Sequence, residues 1–186
     1  MPVQFTTATT PADLQGILTL QAANQKAALS ADYQKEQGFV TLTHTPDMLH
    51  QMSEAAPQII AKDGNTVVGY ALTLLPSVKD VVPALEPLFD QFDQVTYDGK
   101  CISEYPYYMM GQICVDEAYR GQGLFDGLYA THRQRFAGQY ELLVTDIAIR
   151  NTRSRRAHQR VGFQETQTFE DSLDRWVVVV WDWRTN

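Results

Sequence analysis

The segment from Tyr107 to Ile149 limits the folds open to this chain more than any other. It reads as "YYMMGQICV", a run apolar enough for a central strand, then "DEAYRGQG", then an amphipathic stretch, then the apolar run "ELLVTDIAI". In the amphipathic stretch Leu124, Leu128, Tyr129, His132 and Phe136 recur at helical spacing, and Gly138 closes it. Strand, helix and strand in that order form a parallel βαβ unit, because a parallel neighbour is reached only by a crossover and never by a tight hairpin.

The rest of the chain adds antiparallel strands and helices around this unit. "VQFTTAT" reads as an edge strand, and a helix follows from Pro11 and Asp13 with Leu14, Ile17, Leu18 and Ala22 on one side. A second helix begins near Pro46. Two β-rich runs flank Asp63-Gly64-Asn65, a hairpin signal. Between Ser77 and Cys101 the pattern weakens, with one short helix suggested by Leu85, Leu88, Phe89 and Phe92. A helix from Thr152 to Val161 ends at Gly162, and "FQETQTF" with "RWVVVVWDW" reads as an antiparallel pair whose valines are covered on both faces. A valine run of this kind at a sheet edge would invite a second copy of the chain as its cover. The expectation is one α/β (α+β) domain over residues 1–186, with a mixed, twisted sheet of about seven strands and a central parallel pair, flanked by helices.

At the strand-to-helix junction, Arg120, Gly121, Gln122 and Gly123 stand where the first amides of a helix lack partners and its dipole is positive. Glycines remove the β-carbons that would hold an anion away from those amides, so the sequence fits a phosphate cradle as well as a plain tight turn. It is neither a Walker A loop nor a dinucleotide fingerprint, since the Lys-Ser/Thr ending and the third glycine are missing.

Charge supports a small polyanion rather than nucleic acid. The net charge is −7, yet residues 120–160 hold eight arginines against three acids. A nucleic-acid binder needs a broad basic face. A confined arginine cluster is either a solvated face or a pocket for a compact anion, to which the guanidinium presents a fixed fork of donors. No apolar run approaches a membrane span, no secretory signal is visible, and the two cysteines, Cys101 and Cys114, have neither metal-ligand spacing nor disulfide density. Cytoplasmic residence with reduced thiols and no membrane partner is expected.

Together, "YRGQGLF" and "NTRSRRAHQRVGF" resemble the GNAT superfamily of N-acetyltransferases. Arg120 and Gly123 match the coenzyme A pyrophosphate turn; Asn151, Ala157, Gly162 and Phe163 match the following Asn-led helix. Phe125 departs from the Gly or Ala usual at its position, so its ring must turn away from a phosphate. The resemblance implies acetyl-CoA as cofactor, bound by the strand at Ile113, Cys114 and Val115, by the turn at Arg120, Gly121, Gln122, Gly123, Leu124 and Phe125, and by Asn151 with Arg155 or Arg156. It implies a primary amine acceptor on a small molecule or peptide, acetylated directly in a ternary complex. A non-catalytic acyl-CoA-binding module and an acyltransferase for another acyl group or acceptor are the alternatives.

Asp146 stands where the branch acting on N-terminal amines has a carboxylate base, and His158 where many members have the tyrosine that protonates the departing thiolate. Each also has a purely structural reading, as a strand-end carboxylate and a hydrogen-bonded helix histidine. A ping-pong route through Cys114 is disfavoured because no activating base adjoins it. Tyr105, Tyr107 and Tyr108 are candidates for the lining of an acceptor pocket or for core packing.

Overall fold

The computed structural model describes residues 2–25 and 42–184. A seven-stranded sheet has the order β1-β2-β3-β6-β7-β9-β8. Its strands are β1 (Gln4–Thr7), β2 (Ile59–Asp63), β3 (Thr66–Leu74), β6 (Tyr107–Val115), β7 (Leu142–Ala148), β8 (Gln164–Glu170) and β9 (Arg175–Asp182); β4 (Thr96–Tyr97) and β5 (Lys100–Cys101) form a separate small hairpin. Among the described strands only β6 and β7 pair in parallel. The α-helices among the described residues are α1 (Pro11–Ala23), α2 (Pro46–Ala55), α3 (Glu86–Phe92), α4 (Leu124–Phe136) and α5 (Thr152–Val161).

Alternation along the strands sends side chains into two cores. Leu142, Val144, Val178 and Val180 face α1, α2 and α3, whereas Leu143, Ile147, Val177 and Val179 face α4 and α5. The valine run is therefore covered on both faces, as the sequence indicates. It is not at an edge, however: β8 turns back outside β9, so the reason for expecting a second subunit over the valines is removed.

Local chemistry explains the elements. Thr10 and Asp13 form a capping box at the start of α1, and Gly64 at φ 57° closes the β2–β3 hairpin. The inward face of α1 differs from the expected stripe. Ala22 is exposed, while Ile17, Leu20, Gln21 and Asn24 are buried, as is Asp13, whose carboxylate binds Lys62 at 2.6 Å.

The parallel pair is short. Tyr107, Tyr108 and Met109 align with Leu142, Leu143 and Val144, after which the strands part. A bulge in β6 explains the parting: Leu72 of β3 pairs with Gln112 and Thr73 with Met110, leaving Gly111 as an extra residue. Such an insertion bends its strand and ends regular pairing. The hydroxyl of Thr145 donates to the Met110 carbonyl at 2.9 Å and closes the base of the resulting V.

Two histidines are sealed between sheet and helices as neutral rings. His132 donates from Nε2 to the Ala71 carbonyl at 3.1 Å and accepts at Nδ1 from the Tyr108 hydroxyl at 2.9 Å. His158 reverses the tautomer: Nδ1 donates to the Ser154 carbonyl at 2.8 Å and Nε2 accepts from Tyr129 at 2.6 Å. Burial lowers them from their ordinary value of 6.5 to about 3 and about 4. Below pH 6.5 the unfolded chain therefore takes up protons that these two folded rings refuse, so their contribution to stability is full above that pH and falls on acidification towards pH 4. The expected slope is about 1.4 kcal/mol per histidine per pH unit. Urea unfolding measured from pH 7.5 to 4.5 checks it; in a His132→Gln variant the dependence should be shallower.

Candidate functional site

The junction after β6 is built to leave amides free. Asp116 caps a short 3-10 turn by accepting from the Ala118 amide at 2.9 Å, and Tyr119 donates to Asp63 at 2.7 Å. Gly121 and Gly123 then adopt φ values of 74° and 81°, and α4 begins without a side-chain cap. A β-carbon at either glycine would meet nothing within 4 Å, so it is the left-handed backbone that demands glycine, and open space lies in front of it. Among the described residues, no protein acceptor takes the amides of residues 121–126.

These amides edge a cleft of about 780 Å³ between the phosphate-type turn, the end of β6 and the start of α5. Of the expected cofactor residues, Ile113, Cys114, Val115, Arg120, Gly121, Gly123, Leu124, Phe125, Asn151 and Arg156 line it. The β6 edge faces the V as the ladder requires. The bond from the Asp116 amide to the Val68 carbonyl fixes which pairs are bonded to β3; by alternation, Ile113 and Val115 turn their backbone groups away from β3. An extended, amide-bearing ligand fits such an edge as a peptide strand would.

Arg120 acts beside the turn. Its guanidinium donates to the Val115 carbonyl at 3.2 Å and to Asn24 Oδ1 at 2.9 Å. Asn24, the C-cap of α1, is itself in the cleft wall. Sequence reasoning missed it, because nothing local in a helix cap signals a partner 96 residues away. Thr152, Arg153, Ser154 and Arg160 also line the cleft, so the basic helix contributes more than the one arginine expected. Asn151 caps α5 by accepting from the Ser154 amide at 3.1 Å while also bordering the cleft.

The side chains of six expected site residues are engaged elsewhere. Arg155 lies outside the cleft wall, with its fork on Glu165 at 2.7 and 2.8 Å and a further bond to the Ile149 carbonyl. The Gln122 side chain folds back to the Ala118 carbonyl at 2.9 Å. His158 is fully engaged and sealed off, so no proton of its ring reaches the cleft. Tyr108 is entirely buried against His132. Tyr105 spends its hydroxyl on the carbonyls of Tyr97 and Asp98, and Tyr107 packs on Phe89 and Phe92, so all three tyrosines serve the core. Phe125 behaves as its position demands: its ring packs on Tyr129 and His158, at 5.0 and 5.1 Å between centroids.

Asp146 occupies the opposite face of the V. It alternates with Leu142 and Val144, pairs with Val178 across β9, and lies just past the last β6–β7 pair. It keeps a partly open edge, and burial raises its carboxyl from 3.8 to about 7; its own amide opposes the rise and the charge of Asp171 adds to it. Cys114 shows the opposite case for chemistry: burial, only partly offset by Arg120, pushes its thiol up to about 12. At neutral pH it is a thiol and a poor nucleophile. Among the described residues no group of His, Cys, Asp and Glu is disposed to hold a metal ion, and no helix is long and apolar enough to cross a membrane.

The sequence model of the acetyltransferase (GNAT) family matches residues 26–163. No curated protein matches the chain significantly. Among solved structures, the ribosomal-protein-S18-alanine N-acetyltransferase of Escherichia coli superposes with a TM-score of 0.66 at 10% identity, over 100% of this chain and 96% of that one. The NatC complex bound to Gag peptide and coenzyme A gives 0.67 at 11%, over 98% and 99%. A putative acetyltransferase of Salmonella typhimurium, with its cofactor acetyl-CoA, gives 0.63 at 16%, over 99% and 95%. At these identities the superpositions show a shared fold.

Thiol reactivity tests the electrostatics of the β6 edge. At pH 8, iodoacetamide should modify the half-buried Cys101 first and the buried Cys114 at least about tenfold more slowly, because only the thiolate reacts. Peptide mass spectrometry over a time course reads both rates.

Proposed function

Since the chain belongs to the acetyltransferase (GNAT) family, we propose that it transfers the acetyl group of acetyl-CoA directly to a primary amine of a small molecule or peptide, both substrates being bound together. The observation that carries this reading is the row of unpartnered amides at residues 121–126, continued by the outward-turned backbone of Val115 and Ile113. This donor set fits a pyrophosphate followed by an extended amide arm, and the glycines leave it room. Arg153 and Arg156 line the same cleft and suit its further negative charge, while Arg160 lines it paired with Asp126.

Acetyl-CoA supplies an activated acyl group whose leaving thiol is far better than an alcohol. The chain supplies direction and a base. An arm running from the turn back along β6 approaches the base of the V, and Asp146 stands on the face from which an amine would come. An amine attacks only when unprotonated, and a carboxyl raised to about 7 is matched to accept its proton near neutral pH. With His158 sealed away and Cys114 held as a thiol, direct attack needs no second protein titration and no acyl-cysteine. The cytoplasm is the expected compartment, and residues 1–186 are expected to form a single domain.

Coenzyme A release measured with a panel of amines from pH 5.5 to 9 tests the reading. The base works deprotonated, so the rate should rise with pH through about 7 and then level. Asp146→Asn should lower the plateau about 100-fold or more while leaving coenzyme A binding intact. His158→Gln should leave the midpoint of that rise in place. Tight binding without turnover across the panel would instead favour a binding module.

A further inference from the structure

The V between β6 and β7 is closed at its base by side chains rather than by a backbone ladder. After the pair Met109–Val144 the next rung is the bond from Thr145 Oγ1 to the Met110 carbonyl. Both residues face α4 and α5, and both are buried, Met110 at 1% exposure and Thr145 at 7%. Directly beneath lies Tyr108, wholly buried, stacked on His132 and bonded to it. This layer has no slack, because close-packed interiors resist even one added methylene.

The cleft wall on β6 begins at Ile113 and includes neither Met110 nor Thr145. An arm lying along Val115 and Ile113 therefore brings its acyl end against this buried pair of side chains. A longer chain that turned towards the other face would enter the side where Asp146 stands and the amine must approach.

Resting on the acetyltransferase reading above, we propose that Thr145, held by its bond to Met110, is the specificity-determining residue that limits the acyl group to acetyl. Replacing threonine by alanine removes two heavy atoms and the bond; butyryl exceeds acetyl by two carbons. The vacated volume and the relaxed carbonyl of Met110 then accommodate the longer chain.

The test is calorimetric and needs no acceptor. Coenzyme A, acetyl-CoA and butyryl-CoA are titrated into the wild type, Thr145→Ala and Thr145→Ser. In the wild type, butyryl-CoA should bind about tenfold or more weakly than acetyl-CoA, since overpacking a closed site carries that order of penalty. Thr145→Ala should narrow the gap to about threefold or less with affinity for coenzyme A itself unchanged, whereas Thr145→Ser, which retains the hydroxyl, should preserve the discrimination. A purely structural role for Thr145 would shift all three ligands alike. Equal binding of acetyl-CoA and butyryl-CoA by the wild type overturns the proposal even where Thr145→Ala does not fold, and so does an unchanged gap in a folded Thr145→Ala. Failure of the wild type to bind coenzyme A at all would sink the cofactor reading instead.

Discussion

Everything in the site depends on the early parting of β6 from β7. Parallel strands in the middle of a sheet normally satisfy each other's backbone along their whole length, and unsatisfied amides in such a place are costly. Here the bulge at Gly111 turns β6 aside after three pairs, and the Thr145 hydroxyl takes over the carbonyl of Met110 at the branch point. Beyond it, Ile113 and Val115 keep their backbone groups turned into the V. A sheet interior has thereby been given an edge, and an edge accepts an extended ligand.

The arginines divide according to that geometry. Arg153, Arg156 and Arg160 border the cleft, Arg160 while paired with Asp126 at 2.6 Å, whereas Arg155 and Arg150 lie outside its wall on Glu165 and Asp174. Arg120 is spent on linking the turn to the cap of α1 through Asn24. The concentration of eight arginines in residues 120–160 is therefore partly cleft lining and partly scaffolding. Their proximity in sequence follows from the turn and α5 both flanking one cleft.

What was legible in the sequence was what local chemistry decides. The βαβ unit, the hairpin at Gly64 and the glycine turn ahead of α4 follow from periodicity and backbone preference, and the structure contains them. What was not legible depends on contacts between distant segments. Tyr108 looks like a pocket aromatic until α4 brings His132 onto it; Arg155 looks like a phosphate ligand until β8 offers Glu165. Asn24 could not be found, because its partner comes from the other end of the molecule's long excursion between α1 and the turn. The valine run showed double burial but not its place in the sheet, since strand order is not written in any one strand.

Burial acts in opposite senses on the two groups the sequence offered for catalysis. In His158 it disfavours the imidazolium, and both ring nitrogens already have partners, so the ring neither gives nor takes a proton at working pH. In Asp146 it disfavours the carboxylate and lifts the carboxyl to about 7, where both forms are populated. The difference in use then comes from access. His158 faces Tyr129 and Phe163 in a dry core, whereas Asp146 keeps an open edge beside the parted strands. A base needs both a matched affinity for the proton and a route for it to leave. The opening of the sheet supplies that route at Asp146 and not at His158, so under the proposed acetyl transfer the constraint that creates the ligand edge also favours Asp146 as the base.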